Sequence, residues 1–239
     1  MIPKKINLSL IIPCFNESEN LPILIKNLLE IESEFYEIIL VNNGSTDNTN
    51  SVANDLIKNE NSCIKILDLP KNNGYGYGIK AGLQKASGEI IAWTHADLQT
   101  DPKDVVKAFQ FYIKNKNYKK CLLKGKRIGR GFFDNLFTLG MGVISSIALN
   151  IRLSDINAQP KMFHSSFLKN INDAPDDFSL DLFMLYEAVT NNYSILEYPV
   201  HFSNRIFGDA KGGGTFLGKF RLIVRTFSYI KRLRGNIKR

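Results

Sequence analysis

Four short, mostly apolar runs, each closing on polar residues and leading toward a helix-spaced segment, constrain this chain more than any other feature. Residues 6–12, 36–41, 64–69 and 90–93 read as buried strands. Between them, Leu21, Leu24, Ile25, Leu28 and Leu29, and later Ile79, Leu83 and Ala86, recur at helical spacing. Pro22 suits a first helical turn. Ser45, Thr46 and Asp47 are N-cap residue types ahead of another helix. Strand–helix alternation with short links predicts an α/β fold, a mostly parallel sheet covered by helices.

In such a sheet ligands bind just beyond the carboxyl ends of the strands. Three strands end in polar loops that would share that edge: Asn16/Glu17, Asn42/Asn43/Asp47, and the run Thr94, His95, Asp97, Gln99 and Asp101. Such convergence suits a nucleotide or phosphate. Asp97 and Gln99 lie two residues apart, so in extended chain they point the same way. Carboxylate and amide oxygens are hard ligands for a divalent metal, Mg²⁺ or Mn²⁺, that also holds a diphosphate. The plain alternative is a strand that simply ends in a polar loop.

Two glycine patterns carry less. Gly74-Tyr-Gly-Tyr-Gly lacks the dinucleotide-binding spacing and is separated from its strand by residues 70–73. Its glycines suit a tight turn and a close backbone approach to a donor. Gly213, Gly218 and Lys219 have Walker-like spacing, but Phe220 stands where Ser or Thr is required.

Composition narrows the partners. The 239 residues suffice for one substantial core. Cys14, Cys63 and Cys121 are far apart and odd in number, which predicts core thiols in a reducing compartment rather than a disulfide framework. His95, His164 and His201 are scattered, so no histidine metal cluster is expected. The first residues show no signal-peptide pattern, and no apolar run of about 18 residues predicts a membrane span. The net charge of +8 belongs to one end: from Lys211 onward there are nine basic residues and no acidic one. That points to a local anionic partner. Phe216, Phe220, Ile223, Phe227 and Ile230 repeat at helical spacing amid Lys219, Arg221, Arg225, Lys231, Arg232 and Arg234. This basic amphipathic C-terminal helix either packs on the domain, anchors on anionic lipid, or does both, with membrane contact the preferred reading. No nucleic acid is expected, because no RNA-binding motif accompanies it. Residues 132–149 read as a core helix or as an acceptor-side helix at the membrane interface. The Gly-rich, basic residues 205–215 read as a mobile lid over a donor or as an ordinary loop.

Four motifs in order then carry a resemblance. Leu10-Ile-Ile-Pro-Cys-Phe-Asn-Glu, Glu37-Ile-Ile-Leu-Val-Asn-Asn-Gly-Ser-Thr-Asp, Asn73-Gly-Tyr-Gly-Tyr-Gly-Ile-Lys-Ala-Gly-Leu and Gly88-Glu-Ile-Ile-Ala-Trp-Thr-His-Ala-Asp-Leu-Gln resemble the family-2 glycosyltransferases of the GT-A fold. The resemblance is nearest to the dolichyl-phosphate mannose synthase-like branch, which transfers sugars to polyprenyl phosphates. It is dense in the first half and looser after it. Gly125-Lys-Arg resembles the family's Gly-Ser-Arg. Asp155-Ile-Asn-Ala-Gln-Pro-Lys-Met-Phe stands where relatives have Asp-x-x-x-Gly-Phe-Arg. Tyr198-Pro-Val-His-Phe with Arg205 and Gly208-Asp-Ala-Lys resembles the closing strand and loop.

The resemblance implies a GT-A (Rossmann-like) domain over residues 1–215, followed by a helical tail over 216–239. It implies an inverting hexosyl transferase, dependent on a divalent metal, at the cytoplasmic face of a membrane. Pro13, Phe15, Glu17, Asn42 and Asn43 would lie beside base and ribose of the nucleotide-sugar donor. Asp97 and Gln99 would hold metal and diphosphate. Arg127, Lys161 and Arg205 would face phosphates of donor or acceptor. A hydroxyl acceptor needs a general base, for which Asp155 and Asp181 are candidates; a phosphate acceptor is already anionic and needs none. Asp181 reads equally as a helix N-terminal acid. Two departures stand out. Asn42-Asn43 replaces the usual Asp-Asp, and His95 replaces the first acid of Asp-x-Asp. His95 is open to three roles: metal ligand, phosphate hydrogen bond or loop cap. The competing readings are a transferase acting on a sugar hydroxyl in polysaccharide assembly and a non-catalytic nucleotide-sugar-binding subunit. A membrane-protein partner would serve either lipid-linked reading.

Overall fold

The computed structural model describes residues 6–58, 61–129, 131–208 and 216–237. Seven strands form one sheet: β1 (Leu8–Cys14), β2 (Glu37–Asn43), β3 (Ile64–Leu69), β4 (Ile90–Trp93), β5 (Cys121–Ile128), β6 (Lys161–His164) and β7 (Ser194–His201), in the order β3-β2-β1-β4-β6-β5-β7. β6 alone runs antiparallel to its neighbours. Its first residue, Lys161, therefore lies at the edge where β4 ends, in register with Trp93 and with Lys124 midway along β5. Seven helices complete the order: α1 (Leu21–Leu29), α2 (Thr49–Leu56), α3 (Tyr75–Lys85), α4 (Lys103–Ile113), α5 (Phe132–Leu149), α6 (Leu180–Thr190) and α7 (Phe216–Ile237).

The period-2 geometry of strands divides the core into two halves. Leu8, Leu10, Ile12, Ile38, Leu40, Ile90 and Ala92 face α1 and α4. Ile11, Ile39, Val41, Ile91 and Trp93 face α3 and α6. Both faces are covered, so the central strands read as nearly continuous apolar runs. Tyr229, Ile230 and Leu233 of α7 join the second half, so this helix packs on the domain.

β1 and β2 each run two residues past the expected ends. Pro13 is tolerated in β1 because Ile11 makes the last β4-side bond, its carbonyl accepting from Thr94 N–H at 3.1 Å. Two residues on, the missing N–H of Pro13 faces the side where that ladder has stopped. Asn42 and Asn43 are the last residues of β2, in register with Asp68 and Leu69, rather than the first of a turn.

Candidate functional site

The loops after β1 and β2 are laced together at the carboxyl edge. Asn16 donates its backbone N–H to Ser45 Oγ (3.0 Å) and its side-chain carbonyl accepts from Thr46 N–H (2.8 Å). Glu17 N–H donates to Thr49 Oγ1 (2.8 Å), and the Glu17 carboxylate accepts from Asn20 Nδ2 (2.7 Å). None of the three expected N-cap residues holds that position, which is Asn48; Asp47, one residue earlier, accepts Thr49 N–H at 3.0 Å, and Ser45 and Thr46 bind Asn16. Pro13, Phe15 and Glu17 are half-buried around this seam, and Asn42 and Asn43 are buried at its base.

The two asparagines have partners that explain their amides. Asn42 Nδ2 donates to Asp68 Oδ1 (2.5 Å), and Asn43 Nδ2 donates to the Gly74 carbonyl (2.9 Å). A carboxylate at either position has no proton to give. The Gly-rich run meets the chain's own backbone. Gly74 has φ +123°, and a Cβ there would stand 2.3 Å from the Asp176 carbonyl oxygen. Sequence reasoning tied this glycine to close approach, and the approach the structure shows is to this backbone.

The β4 loop carries the next group. Asp97 is buried, and its Oδ1 accepts Gln99 N–H (3.1 Å). Residues following β7 dock on this loop, with Ser203 N–H donating to the Gln99 carbonyl (2.8 Å). That docking delivers Arg205, whose terminal nitrogen donates to Asp97 Oδ2 (2.7 Å) and lies 3.5 Å from Gln99 Oε1. The Arg205 Nε is buried with no hydrogen-bond partner. Asp97, Gln99 and Arg205 are thus brought together. The rest of the proposed lid, residues 209–215 with Lys211, lies outside the described residues, as do the side chains of Phe216, Lys219, Phe220 and Arg221. Of the Walker-like spacing, Gly218 and Lys219 sit in the first turn of α7, and Gly213 lies outside the described residues.

Behind this group runs a chain of polar contacts that sequence reasoning missed. Gln159 Nε2 donates one proton to Tyr75 Oη (3.2 Å) and the other to Asp181 Oδ1 (3.0 Å). Tyr75 Oη also lies 3.1 Å from His95 Nε2, within hydrogen-bond distance. His95 Nδ1 faces Asp97 Oδ2 at 3.9 Å. Burial pulls the His95 pKa down, against the opposing pull of Asp97 and Asp181, so the ring is neutral at pH 7. Beside the three roles open to His95, the geometry adds a contact with the Tyr75 hydroxyl. Burial, with Asp181 nearby, pushes the Tyr75 phenol well above its ordinary value. The signal for this chain was present in Gln159, which stands where the resembled pattern has Gly.

Asp181 sits in the first turn of α6 and is 1% exposed; Lys161 is fully buried. They form an ion pair, and Lys161 Nζ also donates to the carbonyls of Ile156 (2.8 Å) and Ala158 (3.3 Å). An ammonium has three protons, and all three are used. Burial pulls the Lys161 pKa down and Asp181 opposes it. The expectation that Lys161 faces a phosphate is therefore corrected: β6 runs inward from the edge, and the side chain is sealed behind Trp93, 5.8 Å from its ring centroid.

Arg127, near the end of β5, pairs with Asp155, which adopts φ +37°. One Asp155 oxygen accepts the guanidinium and the other accepts Arg127 N–H at 2.8 Å. Burial raises the Asp155 pKa, but the hydrogen bonds and charge of Arg127 outweigh it and hold the carboxyl below its usual range. Phe202 lies under the guanidinium at 5.3 Å. Gly125 permits this corner, since a Cβ there would fall 2.1 Å from the Gln159 carbonyl oxygen. Among the described residues, no three His, Cys, Asp or Glu side chains are grouped to hold a metal by themselves.

Comparison with known proteins adds to this geometry. A family described as glycosyl transferase family 2 matches residues 9–132. A dodecaprenyl-phosphate galacturonate synthase of Rhizobium johnstonii is 34% identical over 105 residues, 43% of this chain and 31% of that protein. An undecaprenyl-phosphate 4-deoxy-4-formamido-L-arabinose transferase of Proteus mirabilis is 36% identical over 107 residues, 43% of this chain and 32% of that protein. The chain thus aligns with about a third of the length of these curated relatives. Among solved structures, glucosyl-3-phosphoglycerate synthase from Mycobacterium tuberculosis, in complex with Mn²⁺, UDP-glucose and phosphoglyceric acid, superposes with a TM-score of 0.73 at 15% identity, over 94% of this chain and 79% of that one. A mannosyltransferase from Pyrobaculum calidifontis, in complex with GDP-mannose and Mn²⁺, gives 0.65 at 16% identity, over 93% and 65%. These likenesses establish the fold, and the expected GT-A architecture is met.

Proposed function

Because the chain belongs to glycosyl transferase family 2, we propose that it moves a glycosyl group from a nucleotide-sugar to a polyprenyl phosphate at a membrane face, with inversion at the anomeric carbon. The relatives named for dodecaprenyl and undecaprenyl phosphate support this acceptor class. The observation that carries it is the state of the two candidate bases. Asp155 is spent on Arg127, and Asp181 on Lys161 and Gln159. Neither carboxylate is placed to take a proton, which a hydroxyl acceptor requires and an anionic phosphate oxygen does not.

The laced loops after β1 and β2, with Pro13, Phe15, Glu17, Asn42 and Asn43, form the floor on which base and ribose would rest. Asp97 Oδ2 and Gln99 Oε1 converge on one cationic nitrogen, at 2.7 and 3.5 Å. Two hard oxygens aimed at one positive centre fit Mg²⁺ or Mn²⁺, with diphosphate and water completing the shell. Such an ion neutralises charge on the departing diphosphate. Arg127, held in orientation by Asp155 and Phe202, and Arg205 are the guanidinium groups available to phosphates at this edge.

The membrane reading rests on α5 and α7, which pack together. Leu136, Leu139, Val143, Ile144 and Ile147 of α5 are exposed, Ile147 at 77%, on one helical face. On α7, Val224 and Phe227 are exposed beside the exposed basic residues Arg225, Lys231, Arg232 and Arg234. The expected stripe of α7 divides, Ile230 turning into the core while Phe227 remains outside. An apolar strip flanked by cations suits an anionic lipid surface. No helix among the described residues is long and apolar enough to cross a membrane.

The test is calorimetry with UDP-, GDP-, CDP- and dTDP-sugars, with and without Mn²⁺, on wild type and Asp97→Ala, followed by turnover with farnesyl phosphate. Metal-dependent binding of one nucleotide, lost in Asp97→Ala, is the expected result. Asp155→Asn should then leave kcat within about tenfold, whereas removing a general base costs about 10²–10⁴-fold. A fall of that size points to a hydroxyl acceptor. Binding without turnover on any acceptor points to a non-catalytic subunit.

A further inference from the structure

Arg205 occupies the position that the proposed function gives to a divalent cation. One terminal nitrogen donates to Asp97 Oδ2 at 2.7 Å and stands 3.5 Å from Gln99 Oε1. Gln99 is further fixed by Nε2 donating to the Ser203 carbonyl (3.3 Å), and Ser203 N–H returns a bond to the Gln99 carbonyl (2.8 Å). The strand end, the loop and the arginine thus form one closed unit. Within it the Arg205 Nε is buried without a partner, a costly state for a charged group's N–H. The guanidinium is satisfied on its outer side, toward the carboxylate, and unsatisfied at Nε.

We infer that Arg205 is a built-in counter-cation of the donor-free site, and that donor with metal enters by exchange: the divalent ion takes Asp97 and Gln99, and the released guanidinium turns to the diphosphate. This rests on the donor-site reading above and deepens it. The charge argument is direct. Asp97 is buried, and a buried carboxylate without a counter-ion is strongly disfavoured. Arg205 removes that cost when no donor is present. It also makes metal binding weak on its own, because the ion must break a charge-assisted hydrogen bond. A diphosphate changes the balance twice, by adding oxygens to the metal and by offering the guanidinium a new anion. Metal and nucleotide therefore bind with positive coupling, and Arg205 is the residue that creates much of it.

The experiment is Mn²⁺ titration followed by electron paramagnetic resonance of the free ion, without nucleotide, on wild type, Arg205→Met, Arg205→Lys and Asp97→Ala/Arg205→Met. Arg205→Met should bind Mn²⁺ about tenfold more tightly than wild type, the size of one charge-assisted hydrogen bond. Arg205→Lys keeps the charge on a shorter, more strongly hydrated group, and should fall between them. It also carries the test if the Met variant does not fold. The gain should vanish when Asp97 is removed. Repeating the titration with UDP, GDP, CDP or dTDP should narrow the gap between wild type and Arg205→Met. Equal metal affinities of wild type, Met and Lys variants overturn the exchange; if wild type still binds nucleotide with Mn²⁺ through Asp97, the donor-site reading survives alone. No Mn²⁺ binding by any protein, with or without nucleotide, overturns both.

Discussion

Replacing Lys161 by Met removes one charge from a sealed ion pair while keeping the length of the stem. Lys161 has no exposed surface, and its three protons go to Asp181, the Ile156 carbonyl and the Ala158 carbonyl. In the variant the Asp181 carboxylate keeps only the Gln159 amide, at 3.0 Å. Breaking a buried pair from one side costs about 3–5 kcal/mol, mostly the desolvation of the stranded charge. Lys161→Met/Asp181→Leu removes both charges but leaves two carbonyls and the Gln159 amide short of partners. It should cost less than the single variant, because both strand the two carbonyls and only the single variant also strands a buried charge. The assay is urea unfolding at pH 7, with the fluorescence of Trp93, the chain's one tryptophan, as reporter. Its ring lies 5.8 Å from Lys161 Nζ. A single variant within about 1 kcal/mol of wild type, with donor affinity sharply reduced, would refute the reasoning. It would mean that Lys161 reaches phosphate in solution.

Three further outcomes follow from the same contacts. Asn42→Asp sets two carboxylates where Asn42 Nδ2 now meets Asp68 Oδ1 at 2.5 Å; it should destabilise by about 1–3 kcal/mol at pH 7, and the deficit in urea unfolding should shrink in acid as one carboxylate is neutralised. Glu197 is raised by burial but pulled down by Ser154 and Lys124 to about 2 from 4.5. A depressed carboxyl stabilises the fold above its unfolded value and loses that contribution as pH falls through the folded one. Thermal melts of Glu197→Gln should thus lose less stability than wild type between pH 4.5 and 2. On the surface, Leu139→Glu with Ile147→Glu, at positions 64% and 77% exposed, should leave the melting temperature unchanged and weaken co-sedimentation with phosphatidylglycerol vesicles about tenfold or more; unchanged sedimentation removes α5 from the membrane reading.

The strand–helix alternation was legible because apolar runs of four to seven residues can be satisfied only inside a covered sheet. The converging loops followed from it, and Asp97, Gln99 and Arg205 meet at that edge. What was not legible depends on the direction of a single strand. β6 is antiparallel, so Lys161 enters the sheet from the edge and is buried, where a residue written as Lys in a phosphate-rich motif reads as a ligand. Ion pairing was also hidden. Arg127 and Asp155 are 28 residues apart, and Lys161 and Asp181 are 20 apart; Arg127, Asp155 and Lys161 were read as active charges, and Asp181 equally as a helix N-terminal acid, because no local pattern shows which charges cancel. The neighbour of the Gly-rich run was hidden for a similar reason, as the 175–177 backbone lies about a hundred residues on.

The departures from the family pattern bear on whether the site still works. A site drifting out of use would accumulate substitutions with no partners. Here Asn42 donates to Asp68, so its amide has the partner that a carboxylate at this position could not serve. His95 and Gln159, which depart at separate places in the chain, are joined through one hydroxyl of Tyr75 and continue to Asp181. Each change has acquired the partner its chemistry needs. Among the described residues eight buried side-chain atoms have no partner: Asn43 Oδ1, Trp93 Nε1, Gln159 Oε1 and Arg205 Nε at or behind the carboxyl edge, and Asn20 Oδ1, Ser145 Oγ, Asn170 Nδ2 and Ser179 Oγ besides. Each carries a desolvation cost of about 1–3 kcal/mol. They are spread over the fold, so what bears on the site is the partners that Asn42, His95 and Gln159 have found. The pattern therefore favours a rewired donor site over a decayed one.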